Sequence, residues 1–415
     1  MKRILITVIA FSLLLTACTR EEPVVDNVEE STVPEIVTTS AALPDETEEP
    51  IETAEQTVVS VENPDLSPSA LPNIVNGRYG YYQLNNDEKE NYDAVYEAAM
   101  AFRSEVELPK KLPYEAVKKL IETLAIEVTD LYYLSDQYDC TMNEVTGIVS
   151  KISLTYKFNS LTVENINKEL ERKAVKILST ANGLSKYDKM KYFHDVIITN
   201  CDYSDESDYR ATPYGALVVG KAWCEGYARA FAYLCNKSGI ENLLATGIVN
   251  GCEHMWNMVK LDGSWYNIDL TRDDPIGLPA ELKSVQKEYV SYNYFLIKNT
   301  QFGGNAKYSD LYNLPQTNSD KYNYYRYNDL YAEDYGQAKH ILGREIYAAA
   351  EDKRVFVEIM LENKELYEET VFNLFDQSKK EFFEANVTPN DNSVSTYYLI
   401  PSDEQNSFQV VLIYN

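Results

Sequence analysis

Apolar positions recur at helical spacing over residues 89–104, 114–127 and 163–179, and a shorter alternating pattern around 147–158 predicts a strand. A further helical stretch, 185–201, sets Met190, Phe193, Val196 and Ile197 on one face and carries His194, which such a setting makes structural rather than catalytic. After a turn-rich approach at 215–223, residues 224–235 are again helical, with Gly239 placed to end the helix in a left-handed C′ conformation. Residues 241–249 then alternate as a strand. Two more strands flank Asp262-Gly263, a strong short-range hairpin signal.

If Asp262 and Gly263 form the hairpin loop, Leu261 pairs with Ser264 and Trp256 faces Asp269. His254 shares the face of Trp256, so His254 and Asp269 become diagonal neighbours within side-chain reach. The opposite face carries Met255, Val259, Leu261, Tyr266, Ile268 and Leu270, with Asn257 its one polar member, and should meet the core. Past residue 299 tyrosines cluster at 322, 324, 325, 327, 331 and 335; we read them as a loop packed on its neighbours rather than a platform for sugars or peptides. A helical pattern at 337–350 and strand patterns at 355–361, 370–374 and 408–414 predict a small α+β module.

A chain of 415 residues exceeds what one core usually organises, so two or three folded units plus tails are expected. The beginning reads as a leader: Lys2 and Arg3 precede an apolar run, 4–15, too short to span a bilayer comfortably. Leu15-Thr16-Ala17-Cys18 resembles a bacterial lipobox, which implies a lipid anchor on Cys18 and a place on the outer face of the membrane. Residues 21–72 hold 14 Asp or Glu and no Lys or Arg, with no sustained period, and read as a disordered tether reaching at most about 170 Å. The formal charge of -27, about half of it in that tether, argues against nucleic acid as a partner. The expected organisation is a leader at 1–18, the tether at 19–74, an α/β region at 75–182, a catalytic domain at 183–300 and an α+β module at 301–415.

Candidate chemistry concentrates in the middle. Cys224 falls in the first turn of its helix, where unpaired N–H groups favour thiolate over thiol and can face a developing oxyanion. With Cys18 assigned to the anchor, five cysteines remain, an odd number in an oxidising setting, so one thiol stays free or pairs between chains. Thiol, imidazole and carboxylate in that order, on a helix followed by a hairpin, fit nucleophile, base and orienter: Cys224 attacks a carbonyl, His254 moves the proton, Asp269 holds the tautomer. Cys252 and His254 lie two apart with no second pair at ligand spacing, and the acidic residues form no calcium loop, so no metal or other cofactor is expected.

Gly220-Lys221-Ala222-Trp223-Cys224-Glu225-Gly226-Tyr227-Ala228, then Glu253-His254-Met255-Trp256-Asn257, then Trp265-Tyr266-Asn267-Ile268-Asp269-Leu270-Thr271 closely resemble the bacterial transglutaminase-like superfamily. Tyr214-Gly215-Ala216-Leu217 and Asp273-Asp274-Pro275 extend the likeness over roughly residues 185–300. The resemblance implies a papain-like α+β core with Cys224, His254 and Asp269 as triad, and it leaves peptide hydrolysis and amide transfer both open, hydrolysis favoured. Trp223 stands where the family more often has valine. Tyr214, Trp223 and Trp256 are candidates for contact with substrate or oxyanion. The expectation is a monomeric, surface-anchored thiol enzyme acting on peptides or proteins; the rival is a non-catalytic extracellular binding module on the same fold.

Overall fold

The computed structural model describes residues 3–8, 26–27, 78–275, 282, 285, 289–303, 306–375, 381–387 and 394–414. The expected leader's Cys18 and nearly all of the acidic stretch lie outside the described residues. Arg3–Val8 is placed as an added edge strand and Asp26–Asn27 as a two-residue pairing.

The first sheet is antiparallel, with Glu105–Pro113, Ile148–Tyr156 and Leu134–Asn143 side by side and Arg3–Val8 on the outer edge of the last. The helices Asn86–Met100 and Tyr114–Glu127 flank the Glu105–Pro113 strand in sequence, and Val117, Leu120, Ile121 and Leu124 of the second helix join the sheet's buried residues in one core. The apolar spacing predicts both helices and the Ile148–Tyr156 strand. The other two strands escape it. Glu105–Pro113 buries Val106, Leu108 and Leu112, but Pro109, Lys110 and Lys111 interrupt the alternation and the pairing shifts register there. Leu134–Asn143 buries only Leu134, Tyr138 and Cys140 of its ten residues.

In the middle of the chain the helices Ser160–Thr180, Lys186–Asn200 and Cys224–Lys237 precede a five-stranded antiparallel sheet, ordered Phe295–Ile297, Ser264–Ile268, Cys252–Leu261, Asn242–Val249, Lys307–Tyr308. Ser238 and Gly239 close the cysteine helix: the Ile240 N–H bonds the Cys235 carbonyl at 3.0 Å, with Gly239 at φ +65° as its placement requires. The hairpin pairs Leu261 with Ser264 and Asn257 with Ile268, across Asp262 and Gly263, both at positive φ.

Both faces of this sheet are buried, one more than the alternation predicts. Val259, Leu261, Tyr266 and Ile268 pack with the cysteine helix, as expected, and Asn257 meets it with a hydrogen bond to the Ala228 carbonyl at 2.9 Å. The other face, with Trp256, Met258 and Trp265, is covered by Tyr79, Tyr294, Phe302 and Tyr312. Segments far apart in sequence supply that cover, which no local period can reveal.

The C-terminal module packs the helix Tyr335–Asp352 on a sheet ordered Tyr331–Ala332, Phe356–Leu361, Ser407–Tyr414, Val394–Ser402, with Asp26–Asn27 at its far edge. Residues 370–374 are not a strand. They belong to the helix Lys364–Phe375, whose Leu366, Tyr367, Thr370 and Leu374 are buried at helical spacing; a short apolar run is ambiguous until its flanks are included. The tyrosine cluster is mostly packing: Tyr324 stacks on Tyr292 at 3.8 Å, and the Tyr325 hydroxyl, fully buried, donates to Asn293 Oδ1 at 2.9 Å. Together with Ser407 donating to Asn293, these contacts dock the module on the middle domain.

Candidate active site

Cys224 is the first residue of its helix, and Trp223 precedes it in extended conformation without any side-chain cap on the first-turn N–H groups. Those groups are therefore available to an oxygen brought to the thiol. Gly226 is required by a close approach: a Cβ there would lie 2.3 Å from the Arg210 carbonyl oxygen, and the Trp223 N–H donates to that same carbonyl at 3.1 Å. The loop around Arg210 thus fixes the start of the cysteine helix.

His254 sits near the start of its strand. Its Nε2 lies 2.7 Å from Asp269 Oδ2, and the Cys224 sulfur is close enough to act on the charge of the ring. Burial alone would lower the imidazole pKa; the Asp269 carboxylate and the Cys224 sulfur outweigh it and raise His254 to about 10. Asp269 is 1 % exposed, and burial alone would raise it. His254 and Arg272 instead hold it below the usual carboxylate range. Its second oxygen accepts the Arg272 N–H at 3.2 Å, capping the short helix Leu270–Asp273.

The three residues singled out by spacing therefore converge. Two of the three accessory candidates do not join them. The Tyr214 hydroxyl is directed to Glu169 Oε2 at 2.7 Å and its ring packs on Tyr209, because the neighbouring helix Ser160–Thr180 offers an acceptor. Trp256 is 1 % exposed, donates to Asn267 Oδ1 at 3.0 Å and lies parallel to the His254 ring with centroids 6.1 Å apart; it seats the imidazole and cannot reach a substrate. Trp223 stays at the site, partly exposed beneath the Arg210 guanidinium at 4.6 Å.

Spacing missed the residues that hold the triad. Arg272 donates to the Phe302 carbonyl, the Tyr294 hydroxyl and Glu404 Oε2, each at 2.6 Å, tying the Asp269 turn to the C-terminal module. Its only sequence signal is its place three residues after Asp269. His194 is structural, as its helical setting predicts. It is fully buried with Nδ1 3.1 Å from Asp195 and Nε2 3.1 Å from Asp273, whose other oxygen accepts the Tyr294 N–H at 2.9 Å. The adjacent Asp274 accepts from the Tyr227 hydroxyl at 2.6 Å, so this acidic pair braces the fold. Among the described residues Cys140, Cys201 and Cys235 are free and buried like Cys224.

The family model described as transglutaminase-like superfamily matches residues 173–270, the stretch from the helix before the thiol to just past Asp269. Those residues belong to the transglutaminase-like superfamily. The transglutaminase-like domain has the α+β, papain-like core that its motifs imply, and it carries the residue set of a cysteine enzyme. Metacaspase-3 of Plasmodium falciparum is 27% identical over 118 residues, 28% of this chain and 5% of that protein. A solved structure named as a candidate cysteine protease from Cytophaga hutchinsonii is 16% identical, covering 30% of this chain and 52% of the other with a TM-score of 0.23. Another, named as a TGase, is 14% identical over 40% of this chain and 50% of the other, with a TM-score of 0.24. The chain thus spans about half the length of those structures and a small fraction of the curated relative.

Proposed function

We propose that this protein is a thiol peptidase of the transglutaminase-like superfamily, acting on peptide or protein amides through a thioacyl intermediate on Cys224. The observation that carries the reading is one arrangement: a sulfur at an uncapped helix start that acts on the charge of an imidazole whose Nε2 lies 2.7 Å from a buried carboxylate. The raised His254 pKa keeps the ring cationic near neutral pH, so it holds a proton to give to a leaving group. In the first half-reaction the sulfur adds to the carbonyl carbon, the first-turn N–H groups receive the oxyanion, and His254 gives its proton to the departing amine as the C–N bond breaks. In the second, His254 takes a proton from water, the hydroxide adds to the thioester, and the carboxylic acid leaves as the thiol is restored. An amine in place of water gives transfer by the same steps.

Incubating the full chain and its Cys224→Ala variant with a peptide pool, with and without added amines, tests the reading. Free carboxylic products dependent on Cys224 support hydrolysis; amine adducts dominating over them would replace hydrolysis with transfer, and no turnover would refute both. The sequence around Cys18 further supports a lipid-anchored protein on the outer face of the membrane. A Cys18→Ser protein is then expected in the medium, and its retention in the membrane fraction would refute the anchor.

A further inference from the structure

A cleft of about 730 Å³, within the size range of ligand pockets, opens at the start of the cysteine helix. Trp223 and Glu225, the residues on either side of Cys224, line it together with Met255. Its opposite wall comes from outside the family match: Ile121, Tyr132, Tyr138 and Phe158 of the N-terminal region. We propose that this cleft is the acyl-side specificity pocket, seating a bulky apolar or aromatic side chain of the peptide whose carbonyl Cys224 attacks. The proposal rests on the thiol-enzyme reading above and adds a substrate class to it.

Three observations favour that occupant. The cleft lies on the side of the cysteine helix: Met255 packs with Ala228 and Ala232 of that helix and points to the strand face opposite His254. The leaving amine departs toward His254, so the portion held in the cleft is the one that stays on the sulfur. The walls, moreover, are fixed relative to each other. Arg229 of the cysteine helix, 4 % exposed, donates to the Ala125 carbonyl at 2.7 Å and to that of Ile126 at 3.4 Å, and its Nε holds Glu225 at 2.8 Å. A pocket held open this way binds without first paying an ordering cost. Finally, the charges select. Glu225 and Arg229 neutralise each other, which leaves Glu122, Asp136 and Asp208 against Lys157 and Arg210, the latter lying on Trp223, so the lining keeps a small negative excess. An acidic side chain is disfavoured there, and an apolar one finds the aromatic wall.

Peptidyl chloromethyl ketones that differ only in the residue next to the reactive group, Phe, Leu, Ala or Glu, test this on the full chain. The thiolate of Cys224 forms a C–S bond as chloride leaves, and mass spectrometry reads the rate. The Phe and Leu probes should react at least tenfold faster than Ala, and Glu slowest. Phe158→Ala should shrink the Phe-to-Ala ratio to within threefold, and Asp136→Lys should narrow the gap between Ala and Glu. Equal rates for all four probes, with iodoacetamide still selective for Cys224, would overturn the pocket and leave the thiol-enzyme reading intact. No selective labelling of Cys224 by any reagent would overturn that reading and the pocket with it.

Discussion

Replacing Asp269 by Asn keeps the shape of the side chain and removes its charge, and the structure says what must follow. His254 stands near 10 rather than 6.5 because Asp269 and Cys224 together overcome its burial, which pulls the other way. That difference corresponds to a preference for the charged ring on the order of 5 kcal/mol. The sign is that of a raised base: this stabilisation is fully present below pH 6.5 and is lost as the pH rises through about 10. Without the Asp269 charge, burial still lowers the ring while only the sulfur raises it, so the step should fall. The assay is the ratio of Cys224 alkylation by iodoacetate and by iodoacetamide from pH 5 to 11, because the imidazolium attracts only the anionic reagent. In the native protein the ratio should drop near pH 10, and in Asp269→Asn near neutrality or below. A native step near 6.5, or an unchanged step in the variant, would refute the reasoning.

Three further perturbations probe the supports. Gly226→Ala must push a methyl against the Arg210 carbonyl, a 2.3 Å approach, and should cost about 1–3 kcal/mol in urea unfolding while slowing Cys224 labelling; a neutral result would remove the loop from the account. Glu127, 2 % exposed and raised to about 7 by burial despite the Tyr92 hydroxyl and the Gly80 and Tyr81 N–H groups, binds more protons folded than unfolded. Its share of stability is therefore present below about pH 4.5 and lost as the pH rises through 7, and Glu127→Gln should flatten the fall between pH 5 and 8 by up to about 3 kcal/mol. Glu358, also raised to about 7 by burial, titrates in the same window and leaves a residual slope. Arg272→Lys keeps the charge but loses the fork shared by Phe302, Tyr294 and Glu404; it should lower stability by about 2–3 kcal/mol and move the His254 step downward, whereas a Glu404→Gln change should do the first without the second.

Local pattern made the triad legible because its parts are local. A helix start, a two-residue hairpin loop and a period of two are short-range features, and together they brought His254 beside Asp269 with the register the structure has. The extra cover on the Trp256 face was not legible, since Tyr79 and Tyr312 arrive from segments more than forty residues from the hairpin. Tyr214 shows the same limit from the other side. The motif that holds Tyr214 makes it a candidate for substrate contact, but Glu169, on a helix whose position no local period fixes, takes its hydroxyl. Arg272 and Arg229 were invisible for a related reason: each acts through backbone carbonyls of distant segments, and a carbonyl carries no sequence signature. Among the free cysteines, chemistry and burial separate what composition could not. Burial pushes Cys140 and Cys201 up to about 12 and raises Cys235 well above its usual range, which leaves Cys224, with a cationic imidazole beside it, as the thiol equipped to react.

The central claim is a covalent bond between Cys224 and the acyl part of a peptide, and acid-quenched intact mass measures it most directly. Mixed with a peptide it turns over, the native protein should gain the mass of the acyl portion at Cys224 and lose it to hydroxylamine, while Cys224→Ala gains nothing. Turnover that persists in Cys224→Ala, or an adduct mapped to another residue, would contradict the account.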